Sequence, residues 1–299
     1  MRLDGRRLSG NIIDRRGSSG SGRGFGGGGF NFGGGGGGRG FRIGGFGGLA
    51  VVIIVLLISL FSDDGSQNYG LADADTPYIS SAYEDSVATF VSKILAGTED
   101  VWEAKFREMG RTYVPPKLVM FTGAVTSACG GADASVGPFY CSADQTIYID
   151  LSFFKQMEQE MGAGGDFAYA YVIAHEVGHH VQYLLGTLGN AHSAMARMSA
   201  TEANKMSVRT ELQADFYAGV WAHGDNEMFG SLEEGDLEEG LNAASKIGDD
   251  YLQKKARGYA QPETFNHGRS DQRVKWLRLG AQTGNVKYGD TFTPSYNSL

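Results

Sequence analysis

Residues 171–185 read YVIAHEVGHHVQYLL, and within them His175, Glu176 and His179 stand in an H-E-x-x-H arrangement. No other feature narrows the fold of this chain as far. Residues four apart on a helix share one face, so imidazoles at i and i+4 can point at a single metal ion. A carboxylate beside the first of them stands next to the ion, placed to take a proton from water activated there. The spacing therefore predicts His175 and His179 as metal ligands and Glu176 as a base. It also demands a helix, and the neighbouring residues supply one. Asp166 can act as N-cap, Phe167, Tyr171, Ile173, Ala174, Val177, Val181, Leu184 and Leu185 form a repeat that is apolar nearly all round, and Gly186 stands at the stop. Five-residue patterns with two free positions also arise by chance among ordinary core histidines. Burial argues against chance here, because two imidazoles and a carboxylate on an apolar helix need partners to offset their desolvation.

A catalytic zinc site takes three protein ligands and leaves one position open. The extended pattern H-E-x-x-H-x-x-G-x-x-H is excluded, since Gln182 and Leu185 occupy its glycine and third histidine positions. The other solution is an acid from a second helix, and residues 208–223 (VRTELQADFYAGVWAH) offer Glu211 and Asp215, again i and i+4 on an apolar background. Glu211 is the expected third ligand. Asp215 is expected to accept the free ring N–H of a ligand histidine, the contact that fixes its tautomer and basicity. Read simply as solvated helix charges, the two acids would not be followed by so apolar a run.

HEVGHHVQ, followed by ELQADFYAGVWAH, with GPFYCSADQTIYIDLSFF upstream (residues 137–154) and FNHGRSDQR downstream (residues 265–273), resembles the neutral zinc metallopeptidase family of bacterial membrane-anchored proteins. The resemblance runs from about residue 69 to the mid-280s by four motifs in one order. It implies a zincin of the glutamate-ligand type, holding one Zn²⁺ and acting on peptide or protein substrates. Related zincins use a histidine outside the ligand set to stabilise the oxyanion, an effect worth about 3 kcal/mol. His267, in the turn before a helix expected over residues 271–279 with Ser270 as N-cap, is the candidate for that role; otherwise it is a helix-entry residue holding the loop.

The rest of the chain divides by composition. Residues 1–48 hold 21 of the 46 glycines and eight arginines against two acids, and residues 1–42 are expected to be a disordered cytoplasmic tail. Its Arg/Gly/Phe mixture resembles RNA-binding segments, but a positive leader beside a membrane segment accounts for it, and no nucleic-acid partner is expected. The uncharged run at residues 43–61 (IGGFGGLAVVIIVLLISLF) approaches the ~20 residues that span a bilayer, so residues 43–62 are expected to form an uncleaved transmembrane helix. Arginines before it and Asp63 and Asp64 after it predict a bacterial inner-membrane protein with its N-terminus cytoplasmic and its body extracytoplasmic. Residues 63–78 read as linker and 79–299 as the metallopeptidase domain.

Cys129 and Cys141 are the only cysteines, and in an extracytoplasmic domain they are expected to form a disulfide; two thiols without a nearby histidine do not make a zinc site. Residues 83–109 read as two helices separated at Gly97-Thr98, and residues 117–125 and 146–151 as strands. The expected class is α+β, with a small mixed or antiparallel sheet and two metal-ligand helices; by analogy of architecture, residues 140–149 line the substrate cleft. The competing reading is a catalytically silent envelope scaffold that keeps zinc for structure. Retention of the base and of an open coordination position argues for the hydrolase.

Overall fold

A computed structural model describes residues 1–17, 80–133 and 136–299. Strand β1 (Ile12–Asp14) comes first and is followed by helix α1 (Ala82–Glu108). Then come β2 (Lys117–Phe121), the hairpin β3 (Ala124–Ser127) and β4 (Gly130–Asp133), β5 (Phe139–Cys141) and β6 (Thr146–Asp150). Seven helices complete the chain: α2 (Ser152–Met161), α3 (Asp166–Leu185), α4 (Thr187–Met195), α5 (Ala200–Phe229), α6 (Asp236–Lys246), α7 (Asp249–Arg257) and α8 (Ser270–Thr283). This is the expected α+β class.

The main sheet is mixed, in the order β1-β2-β6-β5. Its two inner strands, β2 and β6, run parallel and are buried at every position but Lys117, as central parallel strands covered on both faces should be. Alternation decides what covers them. Leu118, Met120, Tyr140, Ile147 and Ile149 face the helices, while Val119, Phe121, Phe139, Cys141 and Tyr148 pack under the β3–β4 hairpin around Val125. A disulfide between Cys129 and Cys141 ties that hairpin to β5, as expected. Closing a loop of this length is worth about 3 kcal/mol, so reduction should lower the melting temperature; an unchanged melt in excess reductant would contradict the staple.

Close backbone approaches set the helix packing. A Cβ at Gly178 would lie 2.9 Å from the Ala214 carbonyl oxygen, so glycine inside the H-E-x-x-H helix lets α3 and α5 meet backbone to backbone. Gly219 and Gly280 do the same where α5 crosses α8.

Several local expectations change. Gly97-Thr98 does not break α1, which runs through as one helix of 27 residues. The second ligand helix is longer than its motif: α5 starts at the Ser199 N-cap, passes His223 and Gly224, and stops at Gly230 in the left-handed region (φ 60°). The N-caps of α3 and α8 are Gly165 and Arg269, one residue before Asp166 and Ser270. Helices α6 and α7 are parted at Ile247-Gly248, where Gly248 packs on Ser270.

The largest correction concerns the start of the chain. Residues 1–17, expected within a disordered tail, pack on the body: β1 pairs parallel with β2, and Leu3 and Ile12 lie against the main core. Averaging over residues 1–42 hid this, because the glycine-dense part begins only after Gly17. The expected transmembrane helix at residues 43–62 and the linker at 63–78 lie outside the described residues. Among the described residues no helix is long and apolar enough to cross a membrane.

Candidate metal centre

Helices α3 and α5 bring His175, His179 and Glu211 together, with one ligand atom from each lying within 4.8 Å of the others. His175 Nε2 is 3.3 Å from one Glu211 oxygen, and His179 Nε2 is 3.6 Å from the other. Ligand atoms around a tetrahedral ion with bonds of about 2.0–2.1 Å stand about 3.3–3.4 Å apart, so these gaps suit zinc. All three side chains are buried. Even so, both Nε2 atoms, one Glu211 oxygen and both oxygens of Glu176 make no hydrogen bond within the protein. Buried polar atoms are otherwise nearly always partnered, and a cation held between the two ring nitrogens and the Glu211 carboxylate would satisfy all three groups. The residues fit the metal.

The other ring nitrogens are held. His175 Nδ1 lies 2.7 Å from Asp215 Oδ1, as the sequence predicts. Asp215 in turn accepts from the Tyr171 hydroxyl at 2.6 Å and from the Arg273 guanidinium at 2.8 and 2.9 Å. Arg273 is itself fully buried. His179 Nδ1 lies 2.9 Å from the Gln182 side-chain oxygen, and Gln182 donates to the Thr210 carbonyl and to Gln213. His175 thus leans on a charged pair and His179 on a neutral amide.

These contacts set the charges of the metal-free site. Burial presses His175 down, but Asp215 and Glu211 outweigh it and carry the imidazole up to about 9. Burial dominates at His179, which falls to about 4, and at Glu176, whose carboxyl is pushed up to about 8. Burial opposes ionisation of Glu211 and Asp215, yet the histidines around Glu211, and Arg273 and His175 beside Asp215, hold each below the usual carboxylate range. Zinc binds neutral imidazole, so binding near neutral pH must displace the His175 proton. Affinity is therefore expected to rise about tenfold per pH unit up to about pH 9, and calorimetric titration in buffers of differing ionisation heat should register proton release. A pH-independent affinity would contradict this charge assignment.

His267 lies beside this centre. Its turn packs on α5, where a Cβ at Gly268 would touch Val208 and Leu212. His267 and Glu211 are near enough for their charges to stabilise each other. Asp249 at the start of α7 fixes the turn: one oxygen accepts from the backbone N–H groups of Asn266, His267 and Gly268, and the other lies 2.9 Å from His267 Nδ1. Burial lowers the His267 pKa, but Asp249 overrides it and the imidazole ends above its ordinary value.

Of the proposed cleft segment 140–149, only β5 lies at the sheet edge; β6 is enclosed between β2 and β5. The Tyr140 backbone approaches the Glu176 carboxyl closely enough to pull its pKa down, without a formed hydrogen bond to either oxygen. The Tyr140 hydroxyl bonds His180 Nδ1 at 2.9 Å, and His180 Nε2 bonds the Val114 carbonyl at 2.7 Å. His180 therefore pins the edge strand to the metal helix and is no ligand. His223 bonds the Ala281 carbonyl from within α5.

Sequence reasoning assigned no role to Gln182, Asp249 or Arg273. Gln182 was legible in principle, three residues after a ligand and so on the same helix face. An arginine among Val274, Trp276 and Leu277 also asked for a buried partner. Asp249, with Asp250, stands out in the sequence only as an acid that helix amphipathicity does not explain.

Comparison with known proteins agrees with this centre. A family model described as putative neutral zinc metallopeptidase matches residues 1–292. The uncharacterized protein YpfJ of Escherichia coli strain K12 is 46% identical over 299 residues, covering 99% of this chain and 100% of its own. The uncharacterized protein Rv2575 of Mycobacterium tuberculosis strain H37Rv is 41% identical over 214 residues, 68% of this chain and 71% of its own. No solved structure matches. With two histidines and a glutamate converging in the described core and a family match along nearly the whole length, the chain belongs to the neutral zinc metallopeptidase family.

Proposed function

We propose that this protein hydrolyses peptide bonds, with His175, His179 and Glu211 holding one zinc ion and Glu176 acting as general base. The observation that carries the reading is the pair of unpartnered, buried Glu176 oxygens beside the three ligands. Bound there, zinc supplies Lewis acidity, lowering the pKa of water towards about 7 and polarising the scissile carbonyl. Glu176 takes the proton of the attacking water and returns it to the departing amine. Its raised pKa in the metal-free site makes it a ready proton carrier near neutrality, the range in which such exchange is most efficient.

The edge strand gives the substrate its place. β5 pairs with β6 on one side only, and an extended peptide added to its other side would lay its backbone past Tyr140 towards Glu176. His267, held by Asp249, which favours its charged form, is positioned to stabilise negative charge on the carbonyl oxygen. Asp215 and Gln182 keep the ligand imidazoles in the tautomer that presents Nε2. A zinc-holding scaffold without activity would have no use for a desolvated carboxyl group with no formed hydrogen bond to either oxygen.

The test is a peptide-library digest by the zinc-loaded full chain. Cleavage that stops on chelation and returns with added zinc supports the reading; intact peptides under zinc-saturated conditions would contradict it.

A further inference from the structure

The first seventeen residues occupy a surface built from three separate parts of the body. Asn11 accepts from the Leu118 backbone at 2.9 Å and the Arg15 N–H donates to Met120 at 2.8 Å, continuing the parallel ladder with Ile12 against Leu118 and Ile13 against Val119. On α1, Ser9 and Asn11 both donate to the buried Glu99 carboxylate, which also lies 2.9 Å from the Arg7 guanidinium. At the end of α5, Arg6 forms a two-pronged ion pair with buried Asp225, at 2.6 and 3.2 Å, and its guanidinium lies 3.7 Å over the Phe229 ring.

Gly97 shows that the surface is shaped for this segment. A Cβ there would lie 2.5 Å from an Arg6 nitrogen and 2.6 Å from an Asp225 oxygen. The glycine that looks like a helix break is the gap through which Arg6 reaches Asp225. Two buried acids on different helices, Glu99 and Asp225, draw their cations from residues 6 and 7, and carboxylates that far from water require such partners.

Residues 18–79 join this segment to α1, and they include the uncharged run at 43–61. If that run crossed a bilayer once, residues 17 and 80 would stand on opposite sides of a hydrocarbon layer about 30 Å thick. Paired strands are about 4.8 Å apart, so β1 could not then reach β2. We infer that residues 1–17 are an integral part of the folded body and lie on the same side of any membrane as the metal centre, so that the apolar run does not separate them. This stands independently of the proposed catalysis. It replaces the topology expected from charge bias, because Arg6, Arg7 and Arg16, three of the arginines that suggested a cytoplasmic leader, are ion-paired to the body.

The test uses the full chain in intact cells. The two native cysteines are joined in the disulfide and do not compete for a thiol reagent. Gly10→Cys and Glu108→Cys, at exposed positions on the segment and on α1, are each probed with a membrane-impermeant maleimide before and after lysis. Both sites should label in the same fraction; labelling of one before lysis and of the other only afterwards would overturn the inference. A second readout tests the docking itself. Arg6→Met and Asp225→Asn should each lower the melting temperature of the purified full chain, and together lower it no further than the worse of the two. Additive losses would show that the residues do not meet, and would overturn the inference equally.

Discussion

Glu176→Gln in the full chain is expected to bind zinc as the wild type does and to lose peptide hydrolysis, with kcat falling by about 10²–10⁴-fold. The substitution keeps the shape of a side chain with no formed hydrogen bond to either oxygen, so it leaves the ligand set and the packing of α3 in place. What it removes is a base able to hold a proton between attack and departure of the amine. Zinc content, melting temperature and initial rates on one peptide should be measured together. A variant with normal zinc and wild-type turnover would take the general-base role away from Glu176.

Asp215→Ala carries the largest expected cost to stability. Asp215 and Arg273 are both fully buried, and the carboxylate also holds Tyr171 and His175. Removing one partner of a buried pair leaves the other charge uncompensated, typically at about 3–5 kcal/mol. For a body of this size that is a fall in Tm of roughly 10 °C or more. Loss of the histidine's orienting contact should weaken zinc binding by about 10–100-fold as well. Asp215→Asn keeps one acceptor and should fall between wild type and alanine. If Asp215→Ala melts and binds zinc like the wild type, the Asp215–Arg273 pair does not support the site.

The sequence made the centre legible because its information is local. His175, Glu176 and His179 share one helical turn and Glu211 and Asp215 share another, so spacing alone determines which side chains point the same way. That α3 and α5 would cross was expected only because the two histidines need a third ligand; the structure supplies its cause in Gly178, where a glycine lets the Ala214 backbone approach. The parts that were not legible depend on partners far apart in the chain. Asp249 acquires meaning only when the turn at residues 266–268 folds over it. Gly97 reads as a break until Arg6, some ninety positions earlier, fills the space beside it. The ordered first seventeen residues were lost by averaging them with the glycine tract that follows. The starts of α3 and α8 slipped by one residue, α8 runs four residues past its expected end, and α5 differs by more, since Gly224 packs against Val101 inside the helix and does not end it.

The account rests on one ion shared by two helices, and zinc titration of the purified full chain against its Glu211→Ala variant tests this most directly. Wild type should take up one zinc per chain, and the variant, with only the two imidazoles of α3 left, should bind it at least a hundredfold more weakly. Equal affinity and stoichiometry in the two proteins would mean that Glu211 does not hold the metal.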